Sequence, residues 1–366
     1  MTIKHIIDVL ENHAPPYYQE SYDNTGLIIG ESANNCTGVL CCLDITKEIL
    51  EEAKSTHCNL IVAHHPILFT GIKSITGKSY VEQIIIAAIK LDIALYAIHT
   101  NLDNVLHGVN ETIAAKLGLI NKQILLPKTN TLSKLVTYVP VHKTEQVLNA
   151  LFEAGAGNIG AYSEASFSSV GVGSFKGSEN SNPTIGSKGV REQVEEKRVE
   201  VLIPNYRQEK IISALLQAHP YEEVAYDIIP LSNVNQSIGS GLIGHLAKPM
   251  QAADFLGFLK ESLQLPLIKH TAFTGQHIEK VAICGGSGSF LIPSAKKAGA
   301  DIFITADIRY HAFFDAEKEL VIADIGHWES EQYVPEQLFA VLTANFPNFA
   351  VLKTTVNTNP VRYYLG

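Results

Sequence analysis

The sequence has little that would commit it to a membrane, a secretory route or a nucleic acid. No uninterrupted apolar stretch approaches the ~20 residues that a bilayer-spanning helix needs. The opening MTIKHIIDVLENHAPP lacks the apolar block of a secretory signal. Its Ile3, Ile6, Ile7, Val9 and Leu10 are broken by Asp8 and Glu11, the pattern of an amphipathic helix ended by Pro15. Cysteine is scarce and odd in number, five in 366 residues without framework spacing, which predicts reduced thiols and a cytoplasmic protein. Cys41 and Cys42, inside VLCCLDI, read as small core residues. Positive charge is also short: 28 Lys plus Arg stand against 37 Asp plus Glu, a net charge of −9 with no basic run. That balance argues against nucleic-acid binding, which depends on cationic side chains neutralising phosphates.

What remains is an ordinary globular composition, 46% hydrophobic and 18% charged, long enough for two domains. Near the start, strand-like and helix-like runs alternate: GVLCCLDI, then a helix capped by Thr46, NLIVAHH, the helix YVEQIIIAAIKL, IALYAIH, and a helix closing at Gly118. The same rhythm returns from KVAICGG to FAVLKTTV, with SFLIPSAKKAG, YHAFFDAEKE and EQYVPEQLFAVLTANF as helices. Strand, helix, strand at this spacing predicts a mostly parallel sheet covered by helices. Between the halves, TYVPVHKTEQVLNALF (137–152) aligns with VLIPNYRQEKIISALL (201–216) at a constant offset of 64. Pro140 meets Pro204, Glu145 meets Glu209, and the apolar register agrees without a gap. A duplicated βαβ unit follows, with a Gly/Ser/Asn-rich excursion at 171–189. The expected architecture is α/β: a layered core with a mixed or parallel sheet, formed by residues 1–126 and 241–366 and interrupted at 127–240 by a ferredoxin-like α+β insert.

Three groups of chemically active residues fall just past predicted strands of that core. His64 and His65 follow LIVA, Asp103 lies four residues beyond His99, and His327 and Glu331 lie in GHWESE. In an open α/β sheet the ligand crevice lies at the carboxyl edge of the strands, so all three can converge there. Each has a plain structural reading when taken alone: a core histidine, a turn aspartate, an exposed i, i+4 pair. Together, neutral imidazoles and carboxylates suit zinc, iron or manganese rather than calcium. Five ligands exceed an open mononuclear zinc site and suffice for two divalent metal ions if one carboxylate bridges. Pro66 restricts His65 to an extended or turn conformation, which lets adjacent imidazoles approach different ions. A second feature, Cys284-Gly285-Gly286-Ser287-Gly288-Ser289, lies between a strand and a helix. It reads either as an anion-binding loop built on backbone N–H groups or as a tight turn; no Lys-Ser/Thr follows, so it is not a phosphate loop.

Those residues carry a resemblance. In order along both halves of the core, DNTGLIIG (23–30), AHHP (63–66), HTNLDN (99–104), GLIGHL (241–246), CGGSGS (284–289), TADIRYH (305–311) and GHWESE (326–331) are similar to motifs of the NGG-interacting-factor-three-like family. Its bacterial members carry the name GTP cyclohydrolase 1 type 2 homologue, and the longer ones hold an inserted domain like this one. The resemblance implies a dinuclear centre on His64, His65, Asp103, His327 and Glu331, and a toroidal homohexamer. It implies second-shell or proton-transfer roles for His99, Tyr310 and His311. One departure is Ala306, where the family usually carries Gly. The implied activity is metal-dependent hydrolysis of a small molecule, with a nucleotide as the candidate substrate, in which water attacks C8 of guanine and formate leaves; phosphoesters would suit the same centre. The rival is a non-enzymatic metal-binding, metal-delivery or regulatory protein with a sensor-like insert.

Overall fold

In the computed structural model, which describes residues 1–275 and 277–364, the chain divides into two compact units. Residues Met1–Pro127 and Gln236–Gly366 form one, and Lys128–Asn235 the other.

The larger unit contains two sheets. Five strands lie in the spatial order Gly26–Ile29, Ala94–Ala97, Leu60–Ala63, Val39–Cys42 and Val351–Lys353. The first pair is antiparallel and the others parallel. The three central strands are buried at every position, which explains why they read as continuous apolar runs rather than alternating ones. Cys41 and Cys42 belong to this core, and all five cysteines are buried free thiols. The second sheet has six strands, ordered Lys269–His270, Val321–Asp324, Ile302–Ala306, His277–Ser287, Gly239–Gln251 and Ile120–Pro127. Its parallel centre comprises the second, third and fourth of these, with antiparallel strands outside them.

Local signals place most of the helices. Thr46 accepts a hydrogen bond from the Ile49 amide (3.3 Å) and caps the helix Lys47–Ser55. Ser79 does the same for Glu82 at the start of Tyr80–Lys90. Gly118, at φ +63°, ends the turn after Val109–Lys116. Two expectations fail. YHAFFDAEKE forms only a 3₁₀ segment, Tyr310–Ala316, and the stretch from Glu331 to Phe346 is not one helix. A short helix His327–Glu331 is followed by Val334–Asn345, whose second residue Pro335 cannot continue a preceding helix.

The smaller unit is a four-stranded antiparallel sheet with two helices. Its strands Leu132–Pro140, Ser166–Lys176, Arg191–Pro204 and Tyr226–Pro230 are ordered fourth, first, third, second, the arrangement of a ferredoxin-like βαββαβ fold. The helices Thr144–Glu153 and Gln208–Ala218 begin 64 residues apart, as the internal alignment requires. Residues 171–176, expected in an excursion, belong instead to the second strand, whose pairing continues to Lys176 opposite Arg191. At the other end, residues 236–240 go with the larger unit: the Leu106 amide bonds the Ser237 carbonyl, and Gly239 opens a core strand.

Phe255 is fully buried under the six-stranded sheet, packed with Ile278, Val281 and Ile302. Phe255→Ala is expected to destabilise the larger unit by ~3–5 kcal/mol. The single tryptophan, Trp328, belongs to that unit, so guanidinium denaturation followed by its fluorescence checks the figure.

Candidate metal centre

The strand Leu60–Ala63 ends one residue before His64, so both histidines stand on departing chain. Their rings lie 5.0 Å apart and are tilted by 47°. His327 and Glu331 are the first and last residues of one helical turn, so their side chains share a face. The consequence is a carboxylate set among imidazoles. Glu331 Oε1 lies 3.8 Å from His64 Nε2, and Oε2 lies 3.0 Å from His65 Nε2 and 3.2 Å from His327 Nε2. Adjacent histidines thus address different oxygens of one carboxylate. Asp103, closing the short helix Thr100–Asp103, brings Oδ1 to 3.6 Å from His64 Nε2.

Every imidazole is oriented from behind. His64 Nδ1 donates to the Ile98 carbonyl (2.8 Å), His65 Nδ1 to Asp44 (2.7 Å), His327 Nδ1 to Asp307 (2.6 Å) and His99 Nδ1 to Asp23 (2.8 Å). An acceptor at Nδ1 fixes that nitrogen as the protonated one in the neutral ring, which leaves the Nε2 lone pair facing forward. Metal-binding histidines are held in this manner. Donor atoms of His65, His327 and Glu331 all lie within 4.8 Å of one another, as do those of His64, His65 and His99. His64 Nε2, Asp103 Oδ1 and Glu331 Oε2 are buried without a hydrogen-bond partner. Such orphaned atoms are costly in a folded protein. A cation contacting all three would remove that cost, so the residues present fit a metal.

The electrostatics follow from burial and mutual charge. Burial holds His64 below the ordinary imidazole range despite Glu331. For His65, burial is outweighed by Asp44 and Glu331, which push its pKa up to about 10. His327 is only half-buried, and Glu331 and Asp307 outweigh that burial and raise it to about 9. Burial and the charge of Glu331 drive Asp103 well upward, whereas the imidazoles around Glu331 overcome its burial and keep it ionised. Asp23 also stays anionic, near pKa 2, because its bonds to His99 and Thr100 outweigh burial.

The Gly-rich segment corrects the expectation of an anion loop. Residues Cys284–Ser287 are the end of the strand His277–Ser287, and Ser289–Leu291 is a single 3₁₀ turn. The Gly285 amide is taken by Asn110 Oδ1 (2.9 Å) and the Gly286 amide by Ser330 Oγ (2.9 Å), so neither is available to an anion. Gly286 has φ +63°, and a Cβ there would collide with Glu331 Oε1. Gly286 makes room for the carboxylate. Ser287 lines the cavity in front of the cluster, whereas Gly288 packs against Thr305 and Cys284.

His99 joins the cluster: its ring is 5.2 Å from that of His64 and 5.4 Å from that of His65. Tyr310 and His311 do not. Both are exposed and neither lines the cavity that contains His65, Asp103 and Glu331. Ala306 turns out to impose no strain, because it closes a buried strand and the left-handed residue is Asp307, φ +54°. Asp tolerates that conformation, and there its carboxylate reaches His327. The residues that sequence reasoning passed over are the orienting acceptors, Asp23, Asp44 and Asp307, together with Asn110 and Ser330. Asp44 lies two residues past the strand Val39–Cys42, so the sheet-edge argument applied to every strand would have found it.

The cavity before the cluster holds about 850 Å³ and is lined by Tyr22, Phe69, Phe290, Asn104, Asn110 and the cluster itself. No helix among the described residues is long and apolar enough to cross a membrane.

The family model Duf34/NIF3 (NGG1p interacting factor 3) matches residues 1–360. Proteins named GTP cyclohydrolase 1 type 2 homolog from Halalkalibacterium halodurans and Bacillus subtilis are 38% and 37% identical. The first alignment covers 98% of both chains, the second 98% of this chain and 97% of the relative. The crystal structure of a Bacillus cereus protein related to NIF3 superposes with a TM-score of 0.87 at 38% identity, covering 100% of this chain and 99% of that one. The chain belongs to the Duf34/NIF3 family.

Proposed function

We propose that this protein is a hydrolase dependent on two divalent metal ions, held by His64, His65, Asp103, His327 and Glu331. The observation that carries this reading is the Glu331 carboxylate, with one oxygen turned to His64 and the other to His65 and His327. In this assignment Glu331 would be the carboxylate shared by the two ions. When bound, the ions supply Lewis acidity and a water of lowered pKa. Asp44, Asp307 and the Ile98 carbonyl keep the imidazoles in the tautomer that binds a cation. His99, backed by the Asp23 anion, presents Nε2 to the same space and is the group placed to accept or return a proton there. Tyr22, Phe69 and Phe290 offer flat apolar faces, and a cavity of about 850 Å³ accommodates a nucleotide-sized molecule. The name shared by the relatives makes GTP the first substrate to assay, with attack at guanine C8 and release of formate, followed by phosphoesters.

Three outcomes test this. Metal-loaded protein is expected to turn over GTP or a member of a phosphoester panel, and His64→Ala to lose at least ~100-fold of that rate. Equal rates for the variant, or no turnover of any compound, overturn the hydrolase reading. His65 and His327, raised to about 10 and 9, carry protons at neutral pH that an entering cation must displace. Metal uptake should therefore release protons, and apparent affinity should fall by about tenfold per displaced proton for each pH unit below 9. Calorimetry in buffers of different ionisation enthalpy measures the number released. Gly286→Ala places a methyl group against Glu331 and should reduce bound metal below one equivalent by elemental analysis, whereas Gly275→Ala, where a Cβ meets nothing, should retain it.

A further inference from the structure

Residues 354–364 follow the last strand of the five-stranded sheet and form neither helix nor strand, yet side-chain bonds hold them along their length. Thr354 and Thr355 are tied to Glu52, Thr355 through its amide (2.8 Å) and hydroxyl (2.7 Å). Asn357 Oδ1 accepts from the Asn359 amide and Asn359 Oδ1 from the Val361 amide, both at 2.9 Å, which sets two successive turns. Beyond Glu52, bonds from this segment reach two residues next to the ligands. Thr358 Oγ1 donates to Asp44 Oδ2 at 2.6 Å, and Asp44 Oδ1 is the acceptor for His65 Nδ1 at 2.7 Å. Asn359 Nδ2 donates to Glu329 Oε1 at 3.1 Å, and the Tyr363 hydroxyl also bonds Glu329. Glu329 is only 4% exposed and sits in the same five-residue helix as His327 and Glu331. Gly326, φ +91°, leaves the space in which Glu329 and Tyr363 meet, since a Cβ there would strike both.

We infer that residues 354–363 are a strap that positions the metal-binding side chains, with Thr358 acting on His65 through Asp44 and Asn359 acting on the His327–Glu331 turn through Glu329. The inference rests on the metal centre proposed above and extends it to a segment outside the ligand set. Asp44 has two oxygens and one imidazole to serve. The Thr358 hydroxyl fixes the carboxylate's rotation, so Oδ1 stays on Nδ1 and His65 Nε2 stays turned toward Glu331. Two ligand-bearing segments distant in sequence are thus held by two adjacent residues, Thr358 and Asn359. The strap also partitions the space around the ligands: Pro360, with Asp44, His65 and His327, lines both the 850 Å³ cavity and a second one of about 460 Å³ behind it.

Thr358 is a positioning residue, and the test separates that role from a merely structural one. Full-length wild type, Thr358→Val and Thr358→Ser are titrated with Zn²⁺ and with Mn²⁺ against a competing chelator, and their thermal melting is recorded alongside. Wild type and Thr358→Ser are expected to take up two equivalents with matching affinities. Thr358→Val, which keeps the shape and loses the hydroxyl, should hold one equivalent ~10–100-fold more weakly. A valine variant that melts lower but binds both equivalents like wild type overturns the inference, as does a serine variant that fails to restore affinity. Two equivalents on wild type with no effect of the valine sinks the strap alone. No metal on wild type sinks the dinuclear centre and the strap with it.

Discussion

A carboxylate taken out of water and left ionised is the constraint around which this molecule is arranged. Burial opposes the charge on Glu331, and three imidazoles answer it. Bringing them within reach requires one strand of the five-stranded sheet and a helical turn following a strand of the other to end at the same place. It also requires a neighbour without a side chain, which Gly286 provides. Each imidazole in turn needs an acceptor behind it, and these acceptors are supplied by loops that follow strands. The charge of one residue therefore propagates into the geometry of a dozen others, since moving any acceptor rotates a ring and uncovers an orphaned nitrogen or oxygen.

The division of labour between the two carboxylates is a matter of environment. Asp103 and Glu331 lie close to the same imidazole, yet burial and the field of Glu331 push Asp103 upward, while the surrounding imidazoles hold Glu331 down. Opposed shifts of two acids in one site are an outcome of like-charge coupling.

Much of this was legible beforehand. Continuous apolar runs such as VLCC and LIVA marked buried parallel strands, and the cap Thr46 and the terminating Gly118 are local chemistry. His64, His65, Asp103, His327 and Glu331 were readable as a group because strand ends converge at a sheet edge. The long strand Gly239–Gln251 was not: it carries Gly and Pro residues and bends where its pairing shifts after His245, so neither period shows. The Gly-rich loop misled for a related reason. Glycine signals that backbone must come close to something, and sequence does not say whether that is a ligand or a neighbouring side chain. Tyr310 and His311 adjoin a motif at the sheet edge, but a 3₁₀ segment carries them outward.

The pairing of Val351–Lys353 with Val39–Cys42 reaches further than sheet geometry. An early strand of the chain waits for one of the latest, so during synthesis the apolar edge of Val39–Cys42 emerges long before its neighbour exists. Contacts of such sequence separation are slow to close, and unpaired edges invite wrong partners in the interval. The insert has no such debt, since all four of its strands pair among themselves within about a hundred residues. Birth order thus runs opposite to map order: the middle of the chain can fold first, and the two ends must find each other last.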